Sequence, residues 1–249
     1  MGRPSRDAGG RLPLSTVARV VPDLPTFAVD DGFAYAVPPG LEVRVGSIVR
    51  VPLGGRRLRG HVVSVSEGAT SGLKEVLGVS GDLPAFHREL LEVLRWGAIH
   101  YVAPLAAMLA KAGPPNLPRL PPRREPPSEH GPAPRSSRSR TQYWLGAGPW
   151  GDRVAEALAP IVEAGRSALV VAPSLAEVRE LADTVGGRLP GRVRIASSGM
   201  GNAQVTGVWS EMAAGPGLVL VGTREVALWP VAGLGAGIVV GEGRRGLKD

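Results

Sequence analysis

From Pro114 to Thr141 the chain reads PPNLPRLPPRREPPSEHGPAPRSSRSRT, with nine prolines, six arginines and hardly a large apolar side chain. A stretch of this kind cannot bury enough surface to offset the entropy lost on ordering it. No single hydrophobic core can run through it. The 249-residue chain is therefore expected to fold as two bodies, 15–112 and 142–249, joined by an extended linker over 113–141. PxxP spacings inside the linker also suit a proline-reading partner, although a plain spacer asks for less.

Ahead of the linker, STVARVV, FAYAV, SIVRVPL, RLRGHVVSVSE and LKEVLGV read as short strands separated by the turn signals DLP, PPG, LGG and SGLK. So many strands in so short a span imply a small barrel-like β-domain. From Leu83 to Gly113 the pattern turns helical. Phe86, Leu90, Leu94 and Tyr101 recur near one face, as do Leu91, Ile99, Val102, Leu105 and Leu109, with Pro104 opening a second helix. Trp96 and Tyr101 are expected in the core of this helical extension or at its seam with the barrel.

Beyond the linker, TQYWLGA, SALVVAP, RVRIAS, GLVLVG and AGIVVG alternate with the helical stretches DRVAEALAPIVEAG and LAEVRELADTVGGRL. Alternation of this sort implies right-handed βαβ units and a parallel sheet. The expected fold is α+β in two parts, a β-barrel-like domain with a helical extension and then an α/β lobe.

Net charge is +7, carried almost wholly by arginine, since Lys74, Lys111 and Lys248 are the only lysines. An excess of this sign favours an anionic partner, and the planar fork of arginine suits phosphate. A GC-rich coding sequence would produce the same bias, so position has to decide. Arg50, Arg56, Arg57 and Arg59 gather around one strand–turn–strand, where they could track a phosphodiester backbone. Phe33 and Tyr35 fall on one strand face and could stack on a base, with core packing the competing role for one of them. Gly54, Gly55 and Gly60 read as turn residues that could also admit a close approach of DNA. The histidines show no metal-ligand spacing, and the absence of cysteine excludes disulfides and thiolate metal sites. The N-terminus has no apolar run of a signal peptide and no segment is long enough to span a bilayer, so a cytoplasmic protein without membrane contact is expected.

WLGAGPWGDRVAEAL, from Trp144 to Leu158, has the outline of a nucleotide loop: Gly146, Gly148 and Gly151, then an amphipathic helix. Its chemistry does not follow. A dinucleotide site wants an acid at the end of the next strand, but SALVVAP ends in Ala172, Pro173 and Ser174. A phosphate loop wants a lysine and a hydroxyl, and Asp152 and Arg153 follow Gly151. A carboxylate there repels polyphosphate, whereas as a helix N-cap or first-turn acid it is at home.

Both halves resemble one family, the replication-restart helicase PriA (primosomal protein N′). ARVVPDLP, FAYAVPPGL, VRVGSIVRVPLGGRRLRGHVVSVSE and LRWGAIHYVAPLAAML are similar to its N-terminal 3′-end DNA-binding domain. The second half resembles its first, RecA-like helicase lobe, with WLGAGPWGDRVAE at the phosphate loop, ALVVAPSLAE at motif Ia and GTR at 222–224. The resemblance implies ATP, magnesium and a zinc segment for the family. Here the Asp-Glu-Glu-His box has become Gly241, Glu242, Gly243 and Arg244, and the chain has no cysteine. Loss of both phosphate grip and metal carboxylate implies no ATP hydrolysis and no cofactor. The linker stands where the family has a winged-helix domain, and the second helicase lobe is not in this chain. Ala34 replaces the aspartate of the family's Phe-Asp-Tyr, which puts 3′-hydroxyl recognition in question. The resemblance implies a partner of branched or single-stranded-end DNA, together with other primosome proteins. Two readings stay open beside it: an ATP-dependent 3′–5′ helicase in which Arg153, Arg224 or Arg244 holds the nucleotide, and a protein-interaction scaffold.

Overall fold

The computed structural model describes residues 15–116, 140–146 and 149–243, so Gly148, Arg244 and all of the linker from 117 to 139 lie outside the described residues. It combines an antiparallel sheet of five strands with a parallel sheet of four. Two compact units emerge, Met1–Ser80 with Leu91–Met108, and Gly81–Leu90 with Leu109–Asp249. No helix among the described residues is long and apolar enough to cross a membrane.

In the first unit β1 (Ser15–Pro22), β2 (Phe33–Ala36), β3 (Ile48–Leu53), β4 (Arg56–Gly68) and β5 (Gly78–Ser80) pair in the order β2-β1-β4-β3-β5. The expected strand LKEVLGV is shortened to β5, because Lys74, Glu75 and Val76 pair elsewhere. The Ala36 amide donates to the Lys74 carbonyl and the Val76 amide to the Ala36 carbonyl, both at 2.9 Å. That isolated bridge ties β2, at one end of the sheet, to the segment leading into β5 at the other. Period-two alternation turns Ala18, Val20, Tyr35, Val49, Val51 and Val62 inward, where Val37 and Val76 join them. Opposite the step from Arg19 to Val20, β4 carries one residue more than β1, a bulge at Val63 that bends the long strand.

α1 (Arg88–His100) and α2 (Leu105–Ala112) follow. α2 starts one residue after Pro104, and the Leu105 amide donates to Asp30 Oδ1 at 2.9 Å, so an acid from the β-domain caps the helix. α1 buries Leu90, Leu91, Leu94 and Ala98. The expectation that Trp96, Ile99, Tyr101 and Val102 also face inward is corrected: Trp96 is 60% exposed, Tyr101 70% and Val102 78%. The helical period places residues on a stripe, but α1 carries two apolar stripes and only one is covered. α1 ends in a Schellman turn, with the Ala103 amide donating to the Ala98 carbonyl and the Val102 amide to the Ile99 carbonyl. The left-handed position falls on Val102, at φ 50°. A β-branched residue there costs about 1–2 kcal/mol. Val102→Gly is expected to raise the stability of this unit by about 1 kcal/mol, read as a higher urea midpoint; an unchanged or lower midpoint would show that the turn is not strained.

The second unit contains α3 (Gly151–Glu163), β6 (Ser167–Val171), α4 (Leu175–Arg188), β7 (Val193–Ala196), α5 (Asn202–Ala214), β8 (Val219–Gly222) and β9 (Leu234–Val239). Its strands are all parallel, in the order β7-β8-β6-β9. Val154, Leu158, Val178, Leu181 and Val185 of α3 and α4 pack with Ala168, Val170, Val219 and Val221 on one face. Met212 of α5 packs with Val171, Ala196 and Leu220 on the other. SLAE opens α4 as written: Ser174 Oγ accepts from the Glu177 amide and donates to the Glu177 carboxylate. α5 has no hydroxyl at its N-cap, Gly201, whose amide instead donates to Gln204 Oε1 at 3.2 Å, and the sequence pattern does not mark the helix. Trp209 fixes it, buried and donating its indole N–H to the Ala112 carbonyl at 2.8 Å.

The expected strand TQYWLGA is a second correction. Residues 140–146 form no strand, and Tyr143 and Leu145 are 79% and 91% exposed. β-rich composition gives no strand without a ladder partner, and β9 carries one neighbour, β6.

Candidate nucleic-acid interface

β3 and β4 form a two-residue hairpin in which Leu53 pairs with Arg56. Gly54 and Gly55 have φ of 56° and 76°, the type I′ geometry that suits the twist of the strands and that glycine adopts freely. Register decides what the hairpin displays. Arg50 lies opposite Arg59 and Pro52 opposite Arg57, so Arg50, Arg57 and Arg59 share one face. Arg56, one residue off, turns to the other face at the tip. The four do not form a single cluster.

Like charges opposite one another across a ladder are unfavourable by a few tenths of a kcal/mol to about 1 kcal/mol. Among the described residues no carboxylate pairs with any of the four arginines. Arg59 Nε is buried without a hydrogen-bond partner among the described residues. A polyanion laid along this face would relieve the repulsion.

Gly60 is not a turn residue. It lies within β4 opposite Pro22, and a Cβ there would stand 2.6 Å from Val20 Cγ1 and 3.0 Å from the Val21 carbonyl oxygen. The glycine admits β1, and no surface is left for DNA. Phe33 and Tyr35 also part company. Tyr35 is 2% exposed, in the barrel core, with its hydroxyl donating to the Pro52 carbonyl. Phe33, at the strand end, keeps 39% of its surface and is the ring of the two that is available for stacking. Lys74 passes unnoticed in the sequence as a lone lysine. The pairing of Ala36 with residues 74–76 brings it beside β2, exposed.

His61 follows Arg59 on the same face of β4, opposite Ile48, and is fully buried. Burial, and secondarily the charge of Arg59, pull its pKa down to about 4. It stays neutral near pH 7.

In the second unit, the residues of the loop before α3 make contacts within the lobe. Asp152 is a first-turn acid, not the N-cap, which is Trp150 with no side-chain hydrogen bond. Its carboxylate accepts from Arg188 Nη2 of α4 at 2.9 Å. The Arg153 guanidinium lies 4.9 Å from the Trp144 ring centroid and 6.0 Å from that of Trp150, within cation–π range. Gly151 is buried, and a Cβ on it would fall 2.7 Å from Thr184 Cβ. That glycine serves the close packing of α3 on α4. Gly146 precedes the break at 147–148 in the described chain.

A cavity of about 240 Å³ lies past the ends of β7 and β8, lined by Ser197, Asn202, Thr223, Glu225 and Trp229 among others. The Thr223 hydroxyl hydrogen-bonds to the Glu225 carboxylate and holds its pKa below the usual range. A carboxylate kept anionic makes this cavity a poor seat for polyphosphate. No cluster of His, Asp and Glu among the described residues has the makings of a metal site.

The family of PriA 3′ DNA-binding domains matches residues 19–114, which hold the hairpin, α1 and α2. The chain is PriA-like over this stretch. A curated relative, the probable replication restart protein PriA of Mycobacterium leprae (strain TN), is 34% identical over 102 residues, which are 40% of this chain and 16% of that protein. The chain thus matches about a sixth of its relative's length. The PriA-type domain carries all four hairpin arginines and both β2 aromatics, whereas the loop before α3 lies beyond the family match.

Proposed function

We propose that the chain binds forked or 3′-ended DNA in replication restart through its PriA-type domain, without helicase activity of its own. The observation that carries the reading is the unpaired arginine face of the β3–β4 hairpin inside the family match. Arg50, Arg57 and Arg59 would hold phosphates, Phe33 would stack on an end base, and Gly54 would let the backbone come close at the turn. Tyr35 and Gly60 support the scaffold from within.

The lobe after the linker is read as a degenerate, RecA-like helicase lobe that has kept its helix packing and lost its nucleotide. Asp152 occupied by Arg188 and Arg153 held against two indoles support that reading. Each would have to leave its partners to meet a triphosphate.

Fluorescence anisotropy with forked, 3′-tailed and blunt duplexes of equal length tests the proposal. Forked and tailed DNA should bind more tightly than blunt duplex, with affinity falling steeply as salt rises. Equal affinity for all three would remove the fork and end preference. DNA-stimulated ATP turnover by the purified chain would overturn the non-catalytic reading.

A further inference from the structure

The outer corner between α1 and α2 carries a set of rings that core packing does not explain. Trp96 and His100, one helical turn apart, stack with ring centroids 4.7 Å and planes 13° apart. Tyr101 meets the His100 ring edge-on, at 5.0 Å and 87°. All three are exposed, on a helix whose inward stripe is already supplied by Leu91, Leu94 and Ala98. Exposed Ile99 and Val102 extend the apolar area, and Arg95 and Glu92 flank Trp96. α1 ends at His100, and the left-handed turn at Val102 that follows Tyr101 fixes the corner on which the rings sit.

A contiguous exposed apolar area marks an interaction site. The form of this one points to a flat ligand. Rings already ordered against each other lose little freedom when a further ring is laid on them, and the near-parallel indole and imidazole extend as a stack rather than close as a groove. Unpaired nucleobases are flat, and stacking on them is sequence-tolerant.

We propose that Trp96, His100 and Tyr101 form a platform on which unpaired bases of bound DNA stack, a contact separate from the arginine face and from Phe33. This rests on the DNA-binding reading above. The two make different demands on the ligand: the hairpin needs phosphates, and the platform needs bases.

Anisotropy titrations of the full chain with a labelled oligothymidylate, and with an abasic oligonucleotide of the same length and phosphate count, separate them. Stacking of ordinary strength corresponds to about fivefold to about a hundredfold in Kd per base. Trp96→Ala should weaken thymidylate binding within that range and leave the abasic oligomer unchanged, and Trp96→Phe should restore part of the loss. Because Trp96 is exposed, the variant should melt like the wild type, which circular dichroism checks. If Trp96→Ala changes neither Kd, or both equally, the platform does not read bases, and an unchanged pair would leave the corner to a protein partner. If the wild type binds neither oligonucleotide, the DNA-binding reading itself falls.

Discussion

Arg50, Arg57 and Arg59 replaced together by alanine should lower affinity for single-stranded or forked DNA on the order of a hundredfold at about 0.15 M salt. Each phosphate contact contributes roughly 0.7–0.9 to the slope of log K against log salt, so the slope should flatten by roughly two to three units. The size follows from the shared face, since Arg50 and Arg59 are register partners and Arg57 lies opposite Pro52. Arg56→Ala provides the internal control. It has the same charge and lies at the same turn, but it points to the other face, and it should cost far less. If Arg56→Ala alone equals the triple variant, the arginine face is not where the backbone lies. Loss of affinity should not come from unfolding, because removing Arg50 or Arg59 relieves a like-charge pair.

The second large effect is on stability. His61 is neutral and buried in the native barrel, with a pKa of about 4, and titrates near 6.5 once the chain unfolds. Between these values the unfolded chain binds more protons than the native one, so acid favours unfolding across that window. Stability is unaffected by this group above about pH 6.5, declines as pH falls toward about 4, and has then lost about 3 kcal/mol in total. Urea melts followed by circular dichroism at successive pH values read this directly. His61→Leu fills the same buried place without a titrating ring and should remove most of the decline. A variant with the wild-type pH profile would mean that carboxylates, not His61, set the acid limit. Since Arg59 contributes to the depressed pKa, Arg59→Ala should raise the native pKa, leave the onset near about pH 6.5 where it is and make the total loss smaller.

Much of this protein was legible from local chemistry. Gly54–Gly55 declared a tight turn between two strands, LAEVRELADTVGGRL declared a helix, and alternating apolar runs declared one antiparallel and one parallel sheet. These signals act within a few residues, through backbone torsions, caps and side-chain period, so the sequence contains them whole.

Tertiary structure decided which side of each pattern is covered. Period-two alternation puts Phe33 and Tyr35 on one face, but β1 and β3 must be in place before Tyr35 is buried and Phe33 left near the rim. The same register separates Arg56 from its three neighbours. Gly60 and Gly151 look like turn and phosphate glycines, and each instead gives up its Cβ to another element passing close by, β1 for the first and Thr184 of α4 for the second. TQYWLGA has the composition of a strand and finds no ladder. Trp96 and Tyr101 have the hydrophobicity of a core and stand outside it. A sequence states what a residue prefers to contact; whether a partner arrives depends on contacts between distant parts of the chain, which no local window contains.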